Sequence, residues 1–408
     1  MKPDTLRSLL PWLAALLLLA LLPSIFPSRT AFSVMNAIGI QLVFALSYNM
    51  LLGQGGMLSF GHAVYFGLGG YGAMHVMRLI EAGSLDFPVF GLPLVGFAVG
   101  LLAGAVIGWP SCRRSGVPFA MISLGIGELV AAAGFMFVSL FGGEEGISGD
   151  RMVGPETFGL SLGPIGEVYW FIAFWAFLAT LAMWAFTKTP LGRLSNAVRD
   201  NDQRAQFIGF DPQRVRYLVF IISGGFAGLA GGMSAVNYEI LTPETFSALV
   251  SGAVLIMAFI GGIGTFYGPI LGATLIVIMQ SLLSDYTEAW QFYIGILFMV
   301  IVMFAPGGLA GLVERVRLAI KRRELLEVAP GWALKVGSAM AMTLGMIILV
   351  ELVFRWRERS DPMELLGVVL NHSEVFPWLL ALALLVMGTY GLRGAPQRWG
   401  RLLRGETP

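Results

Sequence analysis

The chain has 408 residues, of which 56% are hydrophobic and 12% are charged, about half the charged share of a typical globular domain. A water-soluble fold of this length would have too little polar surface to cover itself, so the composition excludes a soluble protein. The 26 basic and 25 acidic residues nearly balance. With no basic domain and no aromatic stacking platform, the sequence gives no sign of a nucleic-acid partner.

Long apolar segments recur along the whole chain. A membrane-spanning helix needs about 20 apolar residues to cross roughly 30 Å of hydrocarbon, and this rule predicts an all-α polytopic membrane protein. The first segment resembles a signal peptide, but it is long and no small-x-small cleavage motif clearly follows it, so we predict an uncleaved first helix. The predicted spans are residues 9–27, 33–53, 57–78, 88–109, 118–141, 167–187, 217–236, 246–263, 267–284, 290–305, 335–354 and 375–392.

The charge of the connections between spans predicts which side each one faces, because Lys and Arg concentrate in short cytoplasmic loops. With the amino terminus inside, the odd-numbered connections 141–150 and 237–245 are acidic or neutral, and residues 355–359 are a basic exception. This pattern predicts both termini in the cytoplasm. The even-numbered connections are basic, and they are Arg113 with Arg114, residues 187–216, residues 315–323 and residues 393–404.

Residues 187–216, here called the island, are a polar and net-basic stretch between two long apolar segments. Ser195 can cap a helix in it, Gly209 can close that helix, and Pro212 forbids its continuation. Asp200 and Arg204 can pair across one turn. Such a short amphipathic helix suits either docking by a motor subunit or a position in the lipid headgroups. Its predicted apolar stripe consists of Leu194, Ala197, Val198, Ala205 and Ile208.

Glycine forms a second pattern. Small residues spaced by four let membrane helices approach closely, which favours a packing role for the three series that are present. The sequence GGIGTFYGP at 261–269 is different, because so much Gly with a Pro inside apolar sequence predicts a broken or re-entrant helix. Gly261, Gly262 and Gly264 are therefore candidates for a substrate path. The three series are Gly100, Gly104 and Gly108; Gly224, Gly228 and Gly232; and Gly264, Gly268 and Gly272.

Few ionisable residues fall inside the predicted spans. Glu128 is the clearest carboxylate away from a helix end, and such a group costs about 3 kcal/mol at the bilayer centre. It is either part of a substrate path or a protonated, hydrogen-bonded packing residue. The surroundings of His62 favour a hydrogen-bonded interior position over a ligand role. The nearby amides Asn49 and Gln54 suit either interhelical hydrogen bonding or lining of the path.

Several chemistries lack their motifs. HExxH, Cys/His ligand spacings, a GxSxG nucleophile elbow and a GxxxxGK[ST] phosphate loop are absent. We therefore expect no catalytic residue, no metal site and no nucleotide bound by this chain. The single cysteine, Cys112, excludes an internal disulfide. An ion-coupled carrier usually needs several buried carboxylates or histidines, which are nearly lacking here, so energy for uphill transport would come from a partner.

Several separate motifs, in order, carry a family resemblance. The run NMLLGQGGMLSFGHAVYFGLGGYGA at 49–73 resembles the second and third helices of LivM-type permeases, the membrane subunits of branched-chain amino-acid ABC importers. Residues 191–235 resemble the cytoplasmic coupling segment of that family followed by its glycine-rich helix. LIMAFIGGIGTFYGPILGA at 255–273 and FAPGGLAGL at 304–312 complete the resemblance, which covers about residues 30–312.

The resemblance implies an importer in a bacterial inner membrane with two permease subunits, two cytoplasmic ATPases and a periplasmic substrate-binding protein. This chain, surrounded by lipid, would form one wall of the translocation path opposite a second homologous permease. ATP would be bound by the partner, with no cofactor in this chain, and the island would dock on the ATPase. The residues implied in this coupling are Gly192, Arg193, Ala197, Arg199, Asp200, Ala205 and Gly209.

The implied substrate is a branched-chain or other neutral amino acid, although members of the family also import urea, short amides or aromatic acids. An ion-coupled secondary carrier is a further alternative. The predicted domains are a permease transmembrane domain with about ten spans at 1–311, a basic cytoplasmic linker at 312–334, and an extra transmembrane hairpin with a cytoplasmic tail at 335–408. The hairpin departs from the family pattern, and it either contacts a partner or is a peripheral addition.

Overall fold

The structure is a computed structural model whose described residues are overwhelmingly helical, which confirms the predicted all-α polytopic membrane fold. Five of the described helices are long and apolar enough to cross a membrane, and shorter apolar helices accompany them. The described residues are 3–155, 159, 161–284, 290–305, 307–321, 337–338, 341–353, 356, 363–365, 368–370 and 374–393.

The helices follow the predicted spans in order, with additional short helices between them. Two antiparallel pairs of very short strands are also present, β1 (Ile147–Ser148) with β2 (Ile240–Leu241) and β3 (Met363–Leu365) with β4 (Val368–Leu370). The helices are α1 (Pro3–Ile25), α2 (Arg29–Asn49), α3 (Ala63–Glu81), α4 (Leu92–Ser111), α5 (Val117–Met136), α6 (Val138–Phe141), α7 (Ile165–Lys188), α8 (Pro190–Asp200), α9 (Asp202–Phe207), α10 (Pro212–Tyr238), α11 (Ala248–Gly261), α12 (Gly268–Ser284), α13 (Trp290–Phe304), α14 (Gly308–Lys321), α15 (Ala341–Val353) and α16 (Val375–Arg393).

Helix α10 is the most buried of the long spans, and it packs against α2, α3 and α4. Two of the predicted glycine series explain how closely it approaches α4. A Cβ at Gly100 would lie 3.0 Å from the Cα of Gly228, and a Cβ at Gly232 would lie 3.5 Å from the Cα of Gly96. A larger side chain would push the two backbones apart, so these glycines serve helix packing.

The chain is not helical at residues 55–62, although the sequence predicted a helix from residue 57. Helix α2 continues into a π-helical turn, Met50–Gln54, and α3 begins only at Ala63. Unwound backbone persists inside a membrane bundle only when other groups satisfy it, and here side chains and neighbouring helices do so. The three bonds, each of 3.0 Å, run from Tyr48 Oη to Ser59 O, from Phe60 N to Ser123 Oγ and from Ala63 N to Ser251 Oγ.

Helices α11 and α12 form a hairpin around the predicted break. The loop 262–267 joins them, and Gly262 adopts a φ of +109°, which favours glycine. A Cβ at Gly272 would lie 2.8 Å from Gly261 N, so the two helices pack backbone to backbone. Helix α11 has 14 residues, about 21 Å at the usual rise. The interruption therefore joins two helices, the first of which is shorter than a full bilayer crossing.

Connections that were predicted to share a side of the membrane lie together. At one end, here called the loop end, β1 pairs with β2 and Arg151 pairs with Glu239 at 3.5 Å. Arg151 also donates to Asn237 O at 3.1 Å. At the other end, the island end, Arg199 of the island donates to the carbonyl of Gly53 after α2. The grouping agrees with the predicted alternation of loops along the chain.

By their contacts the residues divide into two units, Met1–Tyr286 with Phe298–Ala310, and Thr287–Leu297 with Gly311–Pro408. Within the second unit, Ile348, Leu352 and Ala381 form a buried apolar cluster between α15 and α16. The predicted domain boundaries stay predictions. Residues 322–334 of the predicted linker, residues 335–336, 339–340 and 354 of the eleventh predicted span, and the predicted tail 394–408 lie outside the described residues.

Candidate functional site

The island folds into two short helices that contact α10. Thr189 caps α8 by accepting from Gly192 N (3.2 Å), and Asn201 caps α9 by accepting from a backbone N–H of that helix (2.9 Å). The prediction that Ser195 caps the island helix is wrong, because Ser195 is buried within α8 and donates to Gly192 O (2.8 Å). Gly209 follows α9 with a φ of +89°, as expected of a residue that closes a helix.

The predicted apolar stripe faces the bundle only in part. Val198 and Ala205 are buried in a cluster with the first turn of α10, whereas Ala197 and Ile208 are exposed. The chain leaves the helical conformation at Asn201, where φ is −163°. A single 3.6-residue period therefore does not run through the whole island, and the stripe is divided between two helices with different orientations.

Charged pairs also hold the island. Arg216, in the first turns of α10, donates to Asp202 of α9 at 2.8 Å, and its side chain is only 13% exposed. Such a partly buried pair is screened by salt less than a surface pair is. Asp200 accepts from Arg199 at 2.8 and 3.0 Å, so the predicted pairing of Asp200 with Arg204 is wrong. Apolar contact and charge together fix the island on α10.

Arg199 turns back into the bundle. Its Nη1 donates to Gly53 O in the π turn, while Nε and Nη2 stay on Asp200. Gly56 has a φ of +66°, and a Cβ there would lie 2.7 Å from Arg199 Cγ, so the arginine stem lies directly on this glycine. A basic side chain at a helix C-terminus can satisfy a carbonyl that the helix leaves unbonded. Arg199 thus joins the island to the end of α2.

The opposite face of the island is open and partly apolar. Phe207 is 88% exposed, Ile208 is 64% exposed and Phe210 is 48% exposed. Exposed Arg193 and Ala197 of α8 add a basic and a small side chain. Large exposed apolar residues beside basic ones suit either a protein partner or lipid headgroups. The sequence pattern did not indicate the two phenylalanines, because they do not fall on the helical period of the apolar stripe.

The predicted coupling residues divide between the two faces. Gly192 and Ala205 are buried, and a Cβ at Gly192 would lie 3.1 Å from the Cα of Thr187. They position the island and are not available to a partner in this conformation. Their role in coupling stays a prediction, as it does for the exposed members of the set, Arg193, Ala197, Arg199, Asp200 and Gly209.

Asn49 and Gln54, two of the predicted path residues, lie at the island end of α2 beside the loop 262–267. Asn49 Nδ2 donates to Thr265 O at 3.3 Å, and a Cβ at Gly53 would lie 2.7 Å from Ile263 O. Asn49 Oδ1 and Gln54 Oε1 are buried without a hydrogen-bond partner among the described residues. These oxygens can accept bonds from a solute or from a rearranged backbone, so this region has unused polar capacity.

The glycines predicted to line the path lie at the same end of the molecule. Gly261 and Gly262 are buried and Gly264 is exposed. A Cβ at Gly262 would lie 3.3 Å from Ala310 Cβ, so the loop 262–267 is packed between the π turn and the start of α14. Their contribution to a path stays a prediction.

His62 is an interior residue. Its Nε2 lies 3.0 Å from Ser47 Oγ, its ring stacks on Phe44 at a centroid distance of 5.6 Å, and Tyr48 and Tyr65 meet it edge-on. These contacts match the hydrogen-bonded interior position that the sequence favoured. A role of His62 in a substrate path stays a prediction.

Glu128 lies on the exposed side of α5, apart from the interior polar residues. Its neighbour Gly127 is buried, and a Cβ there would lie 3.2 Å from the Cα of Gly61, so another side of α5 faces the bundle. Met121 and Leu129 flank Glu128 and are 65% and 67% exposed. A carboxylate on this side of a span needs polar surroundings supplied from outside this chain. Its place in a path stays a prediction.

A second carboxylate in an apolar segment was not predicted from the sequence. Glu351 of α15 is 4% exposed, and Tyr293 Oη donates to it at 3.0 Å. Its position near the end of a predicted span concealed it. Arg151 was also missed, although a lone arginine in an acidic connection is a usable signal of internal pairing. Among the described residues, no group of three or more His, Cys, Asp or Glu is arranged to hold a metal ion.

The chain is similar to permease components of branched-chain amino acid transport systems. A family model described as branched-chain amino acid transport system / permease component matches residues 30–305. The chain is 28% identical over 319 residues to the high-affinity branched-chain amino acid transport system permease protein LivM of Salmonella typhimurium, which covers 73% of this chain and 74% of the relative.

Two further relatives are more distant. The permease protein LivH of the same kind of system in Escherichia coli K12 is 26% identical over 285 residues, covering 66% of this chain and 90% of LivH. The probable branched-chain amino acid transport permease protein LivM of Methanocaldococcus jannaschii is 25% identical over 316 residues, covering 66% of this chain and 90% of the relative. No solved structure matches the chain.

Proposed function

The chain belongs to the family of branched-chain amino acid transport system permease components, and we propose that it is the membrane subunit of an ATP-driven importer. In this proposal it forms one wall of the translocation path, and a second homologous permease forms the other. Cytoplasmic ATPase subunits bind ATP and act on the island, and a periplasmic binding protein delivers the substrate. The chain itself carries out no covalent chemistry.

The observation that carries the proposal is the open apolar face of the island. Phe207 and Ile208 are exposed, while the other side of the same short segment is fixed to α10 by Val198, Ala205 and the Arg216–Asp202 pair. A protein that grips the exposed face would move the bundle, because the mount beneath it is apolar and charged and therefore firm. A surface helix bound only to headgroups would not need such a mount.

We propose a branched-chain or other neutral amino acid as substrate, which is supported by the names of the LivM and LivH relatives. The polar groups near the helix breaks suit a zwitterion, since backbone N–H groups at helix ends can bind a carboxylate. Urea, short amides and aromatic acids are the alternatives within the family. The specificity would lie mainly in the binding protein.

We also propose a bacterial inner-membrane location with both termini in the cytoplasm. The basic charge of the island supports this orientation, because Lys and Arg in short loops face the cytoplasm. In this orientation the loop end, with exposed Glu144 and Glu145, faces the periplasm and the binding protein. Residues 1–311 form the permease domain, residues 312–334 a cytoplasmic linker and residues 335–408 an added hairpin and tail.

The island face is tested by paired substitutions of isoleucine. Ile208→Ser removes part of the exposed apolar face, whereas Ile240→Ser makes the same change at the loop end, where Ile240 is 49% exposed. When the chain is co-expressed with its partner subunits, Ile208→Ser should reduce copurification of the ATPase by about tenfold. An apolar side chain that becomes buried at an interface contributes about 1–2 kcal/mol to binding. Ile240→Ser should leave copurification unchanged.

Two outcomes contradict the proposal. If Ile208→Ser copurified as much ATPase as Ile240→Ser does, the island face would not be the surface that binds the ATPase. Accumulation of leucine by this chain alone in liposomes, driven by an ion gradient and lost in Glu128→Gln, would identify a secondary carrier instead.

A further inference from the structure

The π turn leaves one backbone carbonyl free for a partner outside its own helix. In a continued α-helix, Gly53 O would accept from Met57 N, four residues later. Met57 N donates instead to Leu51 O at 3.1 Å. Gly53 O accepts from Arg199 Nη1, so a side chain of the island takes the place of the backbone donor that a continued helix would supply.

The other side of the π turn is joined to the loop 262–267. Asn49, the last residue of α2, donates to Thr265 O at 3.3 Å, and the backbone at Gly53 lies against Ile263 O. The loop is itself tied together, because Gly268 N donates to Thr265 Oγ1 at 3.1 Å. The island, the π turn and the loop 262–267 therefore form one continuous set of contacts.

We propose that Arg199 is a positioning residue that latches the π turn to the island, and that the π turn together with the loop 262–267 forms the gate at the island end of the translocation path. When the island moves, the guanidinium leaves Gly53 O and the gate rearranges. This inference rests on the proposed function, since it takes the island as the part that the ATPase moves.

Arg199 and Gly53 O can each keep a hydrogen-bond partner when the bond between them breaks. Asp200 already holds Arg199 through Nε and Nη2, so the guanidinium keeps a partner when it leaves the carbonyl. Gly53 O can then accept from Met57 N if the π turn converts to regular α-helix. π-Helical turns are short and commonly occur at functional sites, and switching elements generally alternate between two packed arrangements.

The latch predicts a local change in the purified chain that does not depend on any partner. Arg199→Gln removes the bond to Gly53 O, so amide hydrogen exchange in residues 50–57 and 263–265 should rise by about tenfold, because a hydrogen bond from a charged group contributes a factor of roughly ten to a hundred. Arg214→Gln is the matched control, since Arg214 lies in the same island, is 86% exposed and pairs with Asp211. It should leave exchange in both segments unchanged.

The same variants predict a coupling defect in the assembled importer. With the partner subunits in liposomes and radiolabelled leucine as the probe, Arg199→Gln should keep normal copurification of the ATPase but move about tenfold less leucine per ATP hydrolysed. Arg199→Lys keeps one donor for Gly53 O and should recover part of that ratio. Arg214→Gln should match the unsubstituted complex.

A double substitution tests whether the contacts act in series. Asn49→Ala cuts the link from α2 to Thr265, so in a single chain of contacts the combined variant Arg199→Gln, Asn49→Ala should be no worse than the poorer single variant. Multiplied defects would mean independent structural damage and would overturn the series.

The other outcomes distinguish failure of the latch from failure of the proposed function. Unchanged hydrogen exchange in Arg199→Gln would overturn the latch, and loss of ATPase copurification would make Arg199 a docking residue instead. A complex that moves no leucine even without substitutions counts against the proposed function, while the exchange experiment still decides the latch.

Discussion

Arg199 and Arg216 belong to one basic segment but bond to different parts of the molecule. Arg216 pairs with Asp202 and holds α9 on α10, whereas Arg199 reaches the carbonyl of Gly53 beyond α2. From the sequence, both are simply bases that mark a cytoplasmic loop. Their separate roles depend on which groups the fold places within reach of each guanidinium, and charge patterning carries no such information.

The burial of Cys112 predicts that its thiol reacts slowly in the folded protein. Cys112 follows the last residue of α4 and is 1% exposed, and burial raises the pKa of its thiol to about 12, although the charge of Arg216 opposes the rise. The reactive form is the thiolate, so at pH 8 the native protein should react with N-ethylmaleimide at least about a hundredfold more slowly than the unfolded protein. Mass spectrometry of timed samples measures both rates.

The control for this measurement is Arg214→Cys in a Cys112→Ser background, since Arg214 is 86% exposed. Its thiol should react rapidly in the folded protein. Equal rates for native Cys112 and this exposed thiol would contradict the burial described here.

Among the helices, the sequence predicted the close packing of the glycine series better than it predicted where a helix begins. The glycine series of α4 and α10 were predicted to serve close packing, and the structure pairs them backbone to backbone. The start of α3 was predicted about six residues too early, because backbone groups of residues 59–63 bond to the side chains of Tyr48, Ser123 and Ser251. Those partners lie far away in sequence, except for Tyr48.

The α4–α10 contact predicts a difference between two Gly→Ala substitutions. A Cβ at Gly228 would lie 2.9 Å from the Cα of Gly100, whereas nothing lies within 4 Å of a Cβ at Gly252 in α11. Gly228→Ala should lower the free energy of unfolding by about 1–3 kcal/mol, the usual cost of overpacking. Gly252→Ala should be neutral or stabilise by up to about 1 kcal/mol, because Ala favours helix.

Thermal denaturation of the purified chain in detergent measures both changes. A midpoint for Gly228→Ala equal to that of the unsubstituted protein would show that α4 and α10 are not in backbone contact.

At the scale of the whole molecule, the alternation of basic and acidic connections agrees with which loops lie together. The acidic connections meet through β1, β2 and the Arg151–Glu239 pair. The island meets the connection after α2 at the other end. Charge along the chain thus sorted the loops into two sets before any contact was known, because each span reverses the side on which the next loop emerges.

The proposed orientation in the membrane predicts which introduced cysteines an impermeant reagent can label. In a Cys112→Ser background, Glu145→Cys at the loop end and Arg214→Cys in the island are both exposed positions. An impermeant maleimide added to intact spheroplasts should label Glu145→Cys and should label Arg214→Cys only after the membrane is permeabilised. Labelling of Arg214→Cys in intact spheroplasts would show the opposite orientation and would contradict binding of a cytoplasmic ATPase to the island.

The sequence by itself determined the membrane class, the order of the spans, the sorting of the loops and the packing role of the glycine series, but not which helices those glycines bring together. These features depend on composition and on local periods, which the lipid environment and the backbone repeat enforce. Only the tertiary structure decided that the island is two helices, that Glu128 lies on an exposed side and that Arg199 bonds to Gly53 O. Those outcomes depend on groups brought together from distant parts of the chain, and no local pattern specifies which carbonyl an arginine will reach.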